Sequence, residues 1–308
     1  LGRVWKQGQV NRFRNPGALL ALLIAGLAAG GCAPDDRGEL RGSLYFAAGK
    51  YLAALDLRDG STSVVSNLGD AEVLSLGQQL DDRLLLNVIA TENQRSMHQL
   101  MLYDIESRQR LTLLNGRSGH YLPGTRVLVF DDGVRTWITE RIRGSWEKTE
   151  VVEHRYNADV DVMPITATRF IYRVEDGPLY VFDSTANRSI QLVGLDLLCP
   201  LDRALWMAER EQMLCRVRRE DGSYEYSFIG LDGTRHESLP LPGDQDLRPI
   251  AFLPDQDILV LTERWQGAIS DRWKWGVWIY HFDSGDFYRL LDDQYLGDTV
   301  VYSTGYHG

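Results

Sequence analysis

Positive charge is scarce in this sequence. Lys and Arg number 33 against 43 Asp and Glu, which gives a formal net charge of -10 at pH 7. Nucleic-acid binding depends on Lys and Arg side chains that neutralise phosphates, so we expect no nucleic-acid partner. Helical periodicity is also lacking, because Gly and Asp interrupt the chain too often for long helices. The sequence therefore predicts an all-β fold.

Motifs of known catalytic and cofactor sites are lacking as well. The sequence has no Gly-x-Ser-x-Gly elbow, no P-loop, no dinucleotide fingerprint and no His-Glu-x-x-His motif. Asp159 and Asp161 are candidates for Ca²⁺, which prefers carboxylate oxygens, but acidic loop residues are more often solvated. We therefore expect no metal and no cofactor. The histidines are scattered along the chain, at His98, His120, His154, His236, His281 and His307.

The N-terminal segment has the layout of a signal peptide. Its first part carries four basic residues and no acidic one, an apolar run covers residues 18–29, and Gly30-Gly31-Cys32 follows. This order of basic, apolar and small residues is typical of secretory leaders. A transmembrane span is the alternative, but only 17 residues separate Arg14 from Cys32, whereas a span needs roughly 20 mostly apolar residues.

The same segment resembles the leader of bacterial lipoproteins, with Ala29 where Leu is commoner. The resemblance implies that residues 1–31 are removed, that Cys32 carries lipid and that residues 32–41 form a tether. Ala33, in place of Asp, implies transfer to the outer membrane, facing the periplasm. Losing four positive charges would shift the net charge from -10 to -14.

Two further cysteines, Cys199 and Cys215, remain if Cys32 is acylated. An even number of cysteines suits an oxidising compartment. The sequence leaves two alternatives open for this pair, a disulfide or two buried free thiols.

A repeat of about 40 to 50 residues runs through the rest of the chain. Its marker is an Asp at the end of one strand, before a tight turn and a second strand, at Asp56, Asp104, Asp183, Asp232 and Asp283. The intervals are 48, 79, 49 and 51 residues, and the long one holds a further unit near residue 143. Asp and Gly suit such turns, because Asp bonds to the nearby backbone and Gly accepts positive φ.

Four short strands per repeat predict a six-bladed β-propeller over residues 42–308. The first unit has only three strands, and residues 299–303 form a strand left over at the C-terminus. We expect this C-terminal strand to complete the first blade, beside residues 43–46, and so to cover an exposed sheet edge. A β-sandwich or a pair of small barrels is the alternative fold.

The Leu253-Pro254-Asp255 turn, the Asp-Gly hairpins and the blade length resemble the six-bladed TolB-like propellers and, more loosely, WD40 repeats. The motifs are degenerate, since no unit has the full Ser-Pro-Asp-Gly-Lys turn and no strand ends in Trp-Asp. The resemblance implies an architecture and leaves the ligand open.

The strongest candidate for a binding surface is the insertion at residues 263–276 in the sixth unit. Trp and Arg are enriched at binding hot spots, and loops on rigid scaffolds often carry function. The alternative is a strand extension with one face buried. The predicted partner-binding residues are Trp265, Arg272, Trp273, Lys274 and Trp275.

These observations favour a membrane-tethered protein that binds an envelope protein or another ligand and is not an enzyme. The rival is a propeller enzyme acting on a sugar, lactone or peptide. That rival requires acids and histidines from separate blades to converge, and its candidates are Asp159, Asp161, His120 and Glu263.

Overall fold

The computed structural model describes residues 40–80, 83–92, 95–142, 145–195, 199–243, 245–266, 273–294 and 300–302. The chain divides into the units Leu1–Gly38 and Glu39–Gly308, and every described residue belongs to the second unit. These residues form six four-stranded antiparallel sheets, the blades of a β-propeller. The predicted fold class is confirmed.

The strands follow the chain blade by blade. Blade 1 contains β1 (Ser43–Ala48), β2 (Tyr51–Asp56) and β3 (Thr62–Asn67), blade 2 contains β4 (Ala71–Leu80), β5 (Arg83–Glu92), β6 (Arg95–Asp104) and β7 (Arg110–Asn115), and blade 3 contains β8 (Arg117–Tyr121), β9 (Leu128–Asp131), β10 (Arg135–Ile142) and β11 (Ser145–Glu153). Blade 4 contains β12 (Val160–Thr166), β13 (Arg169–Val174), β14 (Tyr180–Asp183) and β15 (Arg188–Gln191), and blade 5 contains β16 (Ala204–Met207), β17 (Gln212–Arg218), β18 (Tyr224–Ile229) and β19 (Arg235–Leu239). Blade 6 contains β20 (Leu247–Leu253), β21 (Ile258–Gln266), β22 (Trp273–His281) and β23 (Phe287–Gln294), and β24 (Val300–Tyr302) returns to blade 1.

Helical structure in the described residues consists of two short 3₁₀ turns, Leu201–Arg203 and Pro254–Gln256. No helix in this part of the chain is long and apolar enough to cross a membrane.

The blades stack face to face around the ring. Each strand places alternate side chains on opposite faces of its sheet, so in β1 Leu44 and Phe46 pack against blade 6, whereas Tyr45 and Ala47 pack against blade 2. Within the described residues, buried apolar clusters join every adjacent pair of blades, including blade 6 to blade 1. The ring is therefore closed by hydrophobic contacts.

The C-terminal strand closes blade 1, as the sequence predicts. β24 lies antiparallel to β1, with Ala48 opposite Val300 and Phe46 opposite Tyr302. The sheet order of this blade is β24-β1-β2-β3, so β24 takes the innermost position. Without it, the inner edge of β1 would present unpaired backbone groups.

The Asp residues that mark the repeat cap the turns between the third and fourth strands. The Oδ1 atom of Asp104 accepts a hydrogen bond of 2.8 Å from the backbone N–H of Ser107, and Asp232 accepts one of 2.9 Å from Thr234. Hydrogen bonds from Thr185 and from the Arg169 guanidinium hold the pKa of Asp183 well below its usual range. The predicted turn chemistry is confirmed at these positions.

The two ends of the propeller are distinct. We call the end that carries the turns between the second and third strands of each blade the upper face, and the opposite end the lower face. The chain enters blade 1 at the lower face, where the amide side chain of Gln256 accepts a hydrogen bond of 2.9 Å from Arg41 N–H and donates one of 3.0 Å to Arg41 C=O. Gly42 C=O accepts a bond from Leu57 N–H at the same end. Arg41 and Gly42 are therefore held at the lower face.

Ending the chain at residue 298 is expected to destabilise the propeller, because it removes β24 and exposes the edge of β1. The melting temperature should fall by about 5 °C or more, and the protein should aggregate at lower concentration. The matched control ends at residue 302 and keeps β24. Thermal unfolding and size-exclusion chromatography measure both effects, and equal melting temperatures for the two truncations would contradict the closure.

Candidate functional site

The sixth blade carries a long hairpin at the upper face. β21 and β22 pair continuously from Ile258 opposite His281 to Gln266 opposite Trp273. The innermost strand β20 begins at Leu247, opposite Glu263, so the hairpin continues three residue pairs beyond it. At about 3.3 Å per residue, that is a rise of about 10 Å. The insertion at residues 263–276 is therefore largely an extension of β21 and β22. This is the alternative interpretation, which the alternation of Trp273, Trp275 and Val277 along the sequence indicates.

The structure places the predicted partner-binding residues in different environments. Trp275 is only 8% exposed and packs in the core between blades 6 and 1, with Val277 and Leu291. Its ring serves the packing of the sheets and is not part of an exposed surface. The side chains of Trp265, Trp273 and Lys274, and the whole of Arg272, lie outside the described residues, so their role stays a prediction.

A disulfide joins Cys199 and Cys215, with their Cα atoms 5.4 Å apart. Cys215 lies in β17, and Cys199 lies in the connection that leads from blade 4 to blade 5. Both residues are buried in the core between these blades. The bond ties the connection to the sheet that follows it. Cys32, the predicted lipidation site, lies outside the described residues.

A buried charged cluster lies near the upper face between blades 3 and 4. Asp131 is fully buried, and its two carboxylate oxygens accept bonds from Arg117 Nε at 2.6 Å and His154 Nε2 at 2.5 Å. The backbone N–H of Gly133 donates a third bond at 2.7 Å. His154 Nδ1 lies 3.0 Å from the backbone carbonyl of Arg155.

This Arg117–Asp131–His154 cluster connects three separate segments of the chain. Arg117 begins β8, Asp131 ends β9, and His154 follows β11. Arg117 also donates a 2.5 Å bond to Ala158 C=O, just before blade 4 begins. The cluster thus fixes the connection between the two blades. Sequence reasoning missed it, because these residues are 14 and 23 positions apart and match no motif.

The residues proposed for a propeller enzyme have separate partners. Arg173 donates a 2.6 Å bond to Asp161 in blade 4, whereas Glu263 in blade 6 accepts bonds from Trp278 Nε1 at 3.0 Å and Arg289 at 3.1 Å. Asp159 is exposed, and its backbone carbonyl accepts a bond from Glu175 N–H. Among the described residues, no group of three or more His, Cys, Asp or Glu has an arrangement that could hold a metal ion.

His120 lies on β8, the innermost strand of blade 3, opposite Val129. Burial lowers the pKa of its imidazole from 6.5 to about 4, because the surroundings disfavour the charged ring. The backbone beside it is locked by Asn87, which accepts a 2.6 Å bond from the N–H of Gly119. A Cβ at position 119 would meet the methyl groups of Leu100 at 2.7 Å, so that Leu100 would have to shift. His120 is therefore a neutral, half-buried histidine near pH 7.

Replacing Asp131 by Ala is expected to lower the free energy of unfolding by about 3 kcal/mol, because it leaves the Arg117 guanidinium without its counter-charge and removes the hydrogen bond to the His154 ring. Chemical denaturation measures the loss. The control is Asp176→Ala, which removes an exposed carboxylate near the same face and should cost less than about 0.5 kcal/mol. Similar losses for both variants would contradict the structural role of the cluster.

Because the pKa of His120 is lowered in the folded chain, we expect the free energy of unfolding to fall in acid. The unfolded chain binds a proton at this residue near pH 6.5, whereas the folded chain does so only near pH 4, so lowering the pH between these values favours unfolding. At about 1.4 kcal/mol per pKa unit, the difference between 6.5 and about 4 corresponds to at most about 3.5 kcal/mol. It is measured as the difference in the pH dependence of unfolding between the natural chain and His120→Gln. Replacing the exposed His236 by Gln serves as the control, and parallel pH profiles for the natural chain and His120→Gln would refute the prediction.

Comparisons with known proteins give a fold and no family. No protein-family model and no curated protein matches the sequence. Among solved structures, the chain is similar to TolB from Acinetobacter baumannii, with 14% identity, coverage of 97% of this chain and 74% of that chain, and a TM-score of 0.60. It is similar to a putative TolB from Agrobacterium tumefaciens, with 13% identity, coverage of 86% and 99%, and a TM-score of 0.55. An oligogalacturonate lyase in complex with manganese follows, with 15% identity, coverage of 72% and 70%, and a TM-score of 0.50. The chain therefore has the fold of a six-bladed, TolB-like propeller.

Proposed function

We propose that this chain is a lipid-anchored scaffold of the bacterial cell envelope that binds an envelope protein through the upper face of its propeller. In this proposal residues 1–31 are a leader, Cys32 carries the lipid, and residues 32–41 are a tether. The anchor lies in the outer membrane, and the propeller faces the periplasm.

One observation carries the proposal. The chain enters the propeller at the lower face, at the contact between Arg41 and Gln256, whereas the long hairpin of blade 6 rises from the upper face. A tether that approaches from below leaves the hairpin pointing away from the membrane. The end of this hairpin, beyond Gln266 and Trp273, is then available to a partner.

The disulfide supports a location outside the cytoplasm. Disulfides persist in oxidising compartments such as the periplasm and are rare where thiols are kept reduced. The Cys199–Cys215 bond agrees in this respect with the secretory layout of the N-terminal segment.

The fold is compatible with more than one role. TolB and an oligogalacturonate lyase share it at low identity, and one fold hosts many functions. The separate partners of Asp161 and Glu263 give no specific support to a reaction. We therefore propose binding and not catalysis.

The partner surface can be tested by placing a photoreactive amino acid at position 273, in the long hairpin of blade 6, and irradiating intact cells. The proposal expects a discrete cross-linked protein adduct from position 273. The matched control carries the same amino acid at position 58, in an exposed turn of the lower face, and should give no such adduct. An adduct from position 58 alone, or from neither position, would contradict the choice of face.

The anchor is tested in the same cells. Replacing Cys32 by Ala should abolish incorporation of labelled palmitate and move the chain from the membrane fraction to the soluble fraction, because the lipid supplies the membrane affinity. Equal labelling of the natural chain and Cys32→Ala would refute lipidation at this residue.

A further inference from the structure

Blade 5 has a polar region on a face that is otherwise apolar. In the pairing of β17 with β18, Glu225 lies opposite Val217 and Ser227 lies opposite Cys215. Residues directly opposite each other share one face of the sheet. Val217 and Cys215 belong to the core against blade 4, so Glu225 and Ser227 point toward the same neighbour.

An open cleft of about 640 Å³ lies at this polar region. Blade 4 offers only short outer strands beside it, since β14 and β15 have four residues each, compared with six in β18. The cleft is lined by three arginines, three acidic residues and a serine: Arg218, Arg219, Arg235, Glu220, Asp221, Glu225 and Ser238.

Glu225 organises two of the arginines. It is only 8% exposed, and one of its carboxylate oxygens accepts a 2.7 Å bond from Arg219 Nε. Its other oxygen pairs with Arg235, whose Nε donates a 3.2 Å bond to Ser227. Burying a carboxylate is costly unless it is paired, and here the pairing fixes the positions of both guanidinium groups.

Donor groups remain after these bonds are made. A guanidinium group has five N–H donors in a planar fork, and Arg219 and Arg235 each use only part of theirs on Glu225 and Ser227. Arg218 is exposed and has no ion pair among the residues that the structure describes. Three guanidinium groups thus line one cleft with donors to spare, and such forks match a carboxylate.

The acidic residues of the turn between β17 and β18 limit which anions the cleft can bind. Glu220 and Asp221 are exposed, and the Asp221 carboxylate accepts bonds from the N–H and O–H of Ser223 at 2.9 and 2.6 Å. The three arginines and three acids of the lining balance to a net charge of zero. The arginines offer partners to a carboxylate and the acids offer partners to an ammonium group, whereas the second negative charge of a dianion would lie near Glu220 and Asp221.

We propose that this cleft binds a small zwitterion, with its carboxylate on Arg218, Arg219 and Arg235 and its ammonium group on Glu220 and Asp221. A short peptide or a free amino acid has this chemistry. The site lies at the upper face of blade 5 and shares no residue with the predicted partner-binding set on blade 6.

The test is isothermal titration calorimetry of the full chain at low ionic strength. The probes are triglycine as the peptide, glycine as the free amino acid, glutarate as a dianion and inorganic phosphate. The informative variant is Arg218→Gln, because Arg218 has no described ion pair to lose and the fold should persist. The matched control is Arg155→Gln, which removes an equally exposed arginine that pairs with Glu175 elsewhere.

If the proposal is right, triglycine or glycine binds to the full chain. The probe with the higher affinity shows whether the site takes a short peptide or a free amino acid. Affinity should fall about tenfold or more in Arg218→Gln, because a charge-assisted bond is lost, and should be unchanged in Arg155→Gln. Tighter binding of glutarate or phosphate than of both zwitterions would overturn the ligand class. Equal affinity of Arg218→Gln and the natural chain, or no heat with any probe, would overturn the site.

Discussion

The structure depends on apolar contact between neighbouring blades. Each sheet carries hydrophobic side chains on both faces. In β1, for example, Leu44 and Tyr45 lie on opposite faces. Both faces of every sheet must therefore be covered to remove these side chains from water. Burying one large apolar side chain is worth about 1.5 to 3 kcal/mol. A row of such sheets would leave two faces bare at its ends, whereas a ring leaves none. Closure between blades 6 and 1 is therefore a requirement of the packing.

The ring could be predicted from sequence because its signals are local and repeated. An Asp at five of the six hairpins and four short strands per unit indicate the number of blades, and a three-stranded first unit with a spare C-terminal strand predicts the closure. The innermost strand of blade 3 is harder to predict. The apolar pair Tyr121-Leu122 indicates only its end, whereas β8 begins at Arg117 and contains a bulge with Ser118 at φ 51°. A polar stretch with a left-handed residue does not have the alternation of a strand.

The two charged clusters, around Asp131 and around Glu225, could not be predicted from the sequence for a different reason. Asp131 meets Arg117 and His154 only after two strands have paired and the chain has crossed to the next blade, and Glu225 meets Arg235 only through the pairing of β18 and β19. Both clusters lie beside blade 4, whose two outer strands are short. The disulfide also lies at the boundary of this blade. Polar and covalent links are thus found on both sides of the blade with the shortest third and fourth strands.

The point at which the chain enters blade 1 determines how this blade would respond to mechanical load. Tension applied at Arg41 would pull on β1 from its lower end, along the strand axis. β1 lies between β24 and β2, with three and six residue pairs respectively. Load in this direction shears both ladders, so their hydrogen bonds resist together and do not open one at a time. The seam where the ring closes would therefore resist a pull on the chain at Arg41.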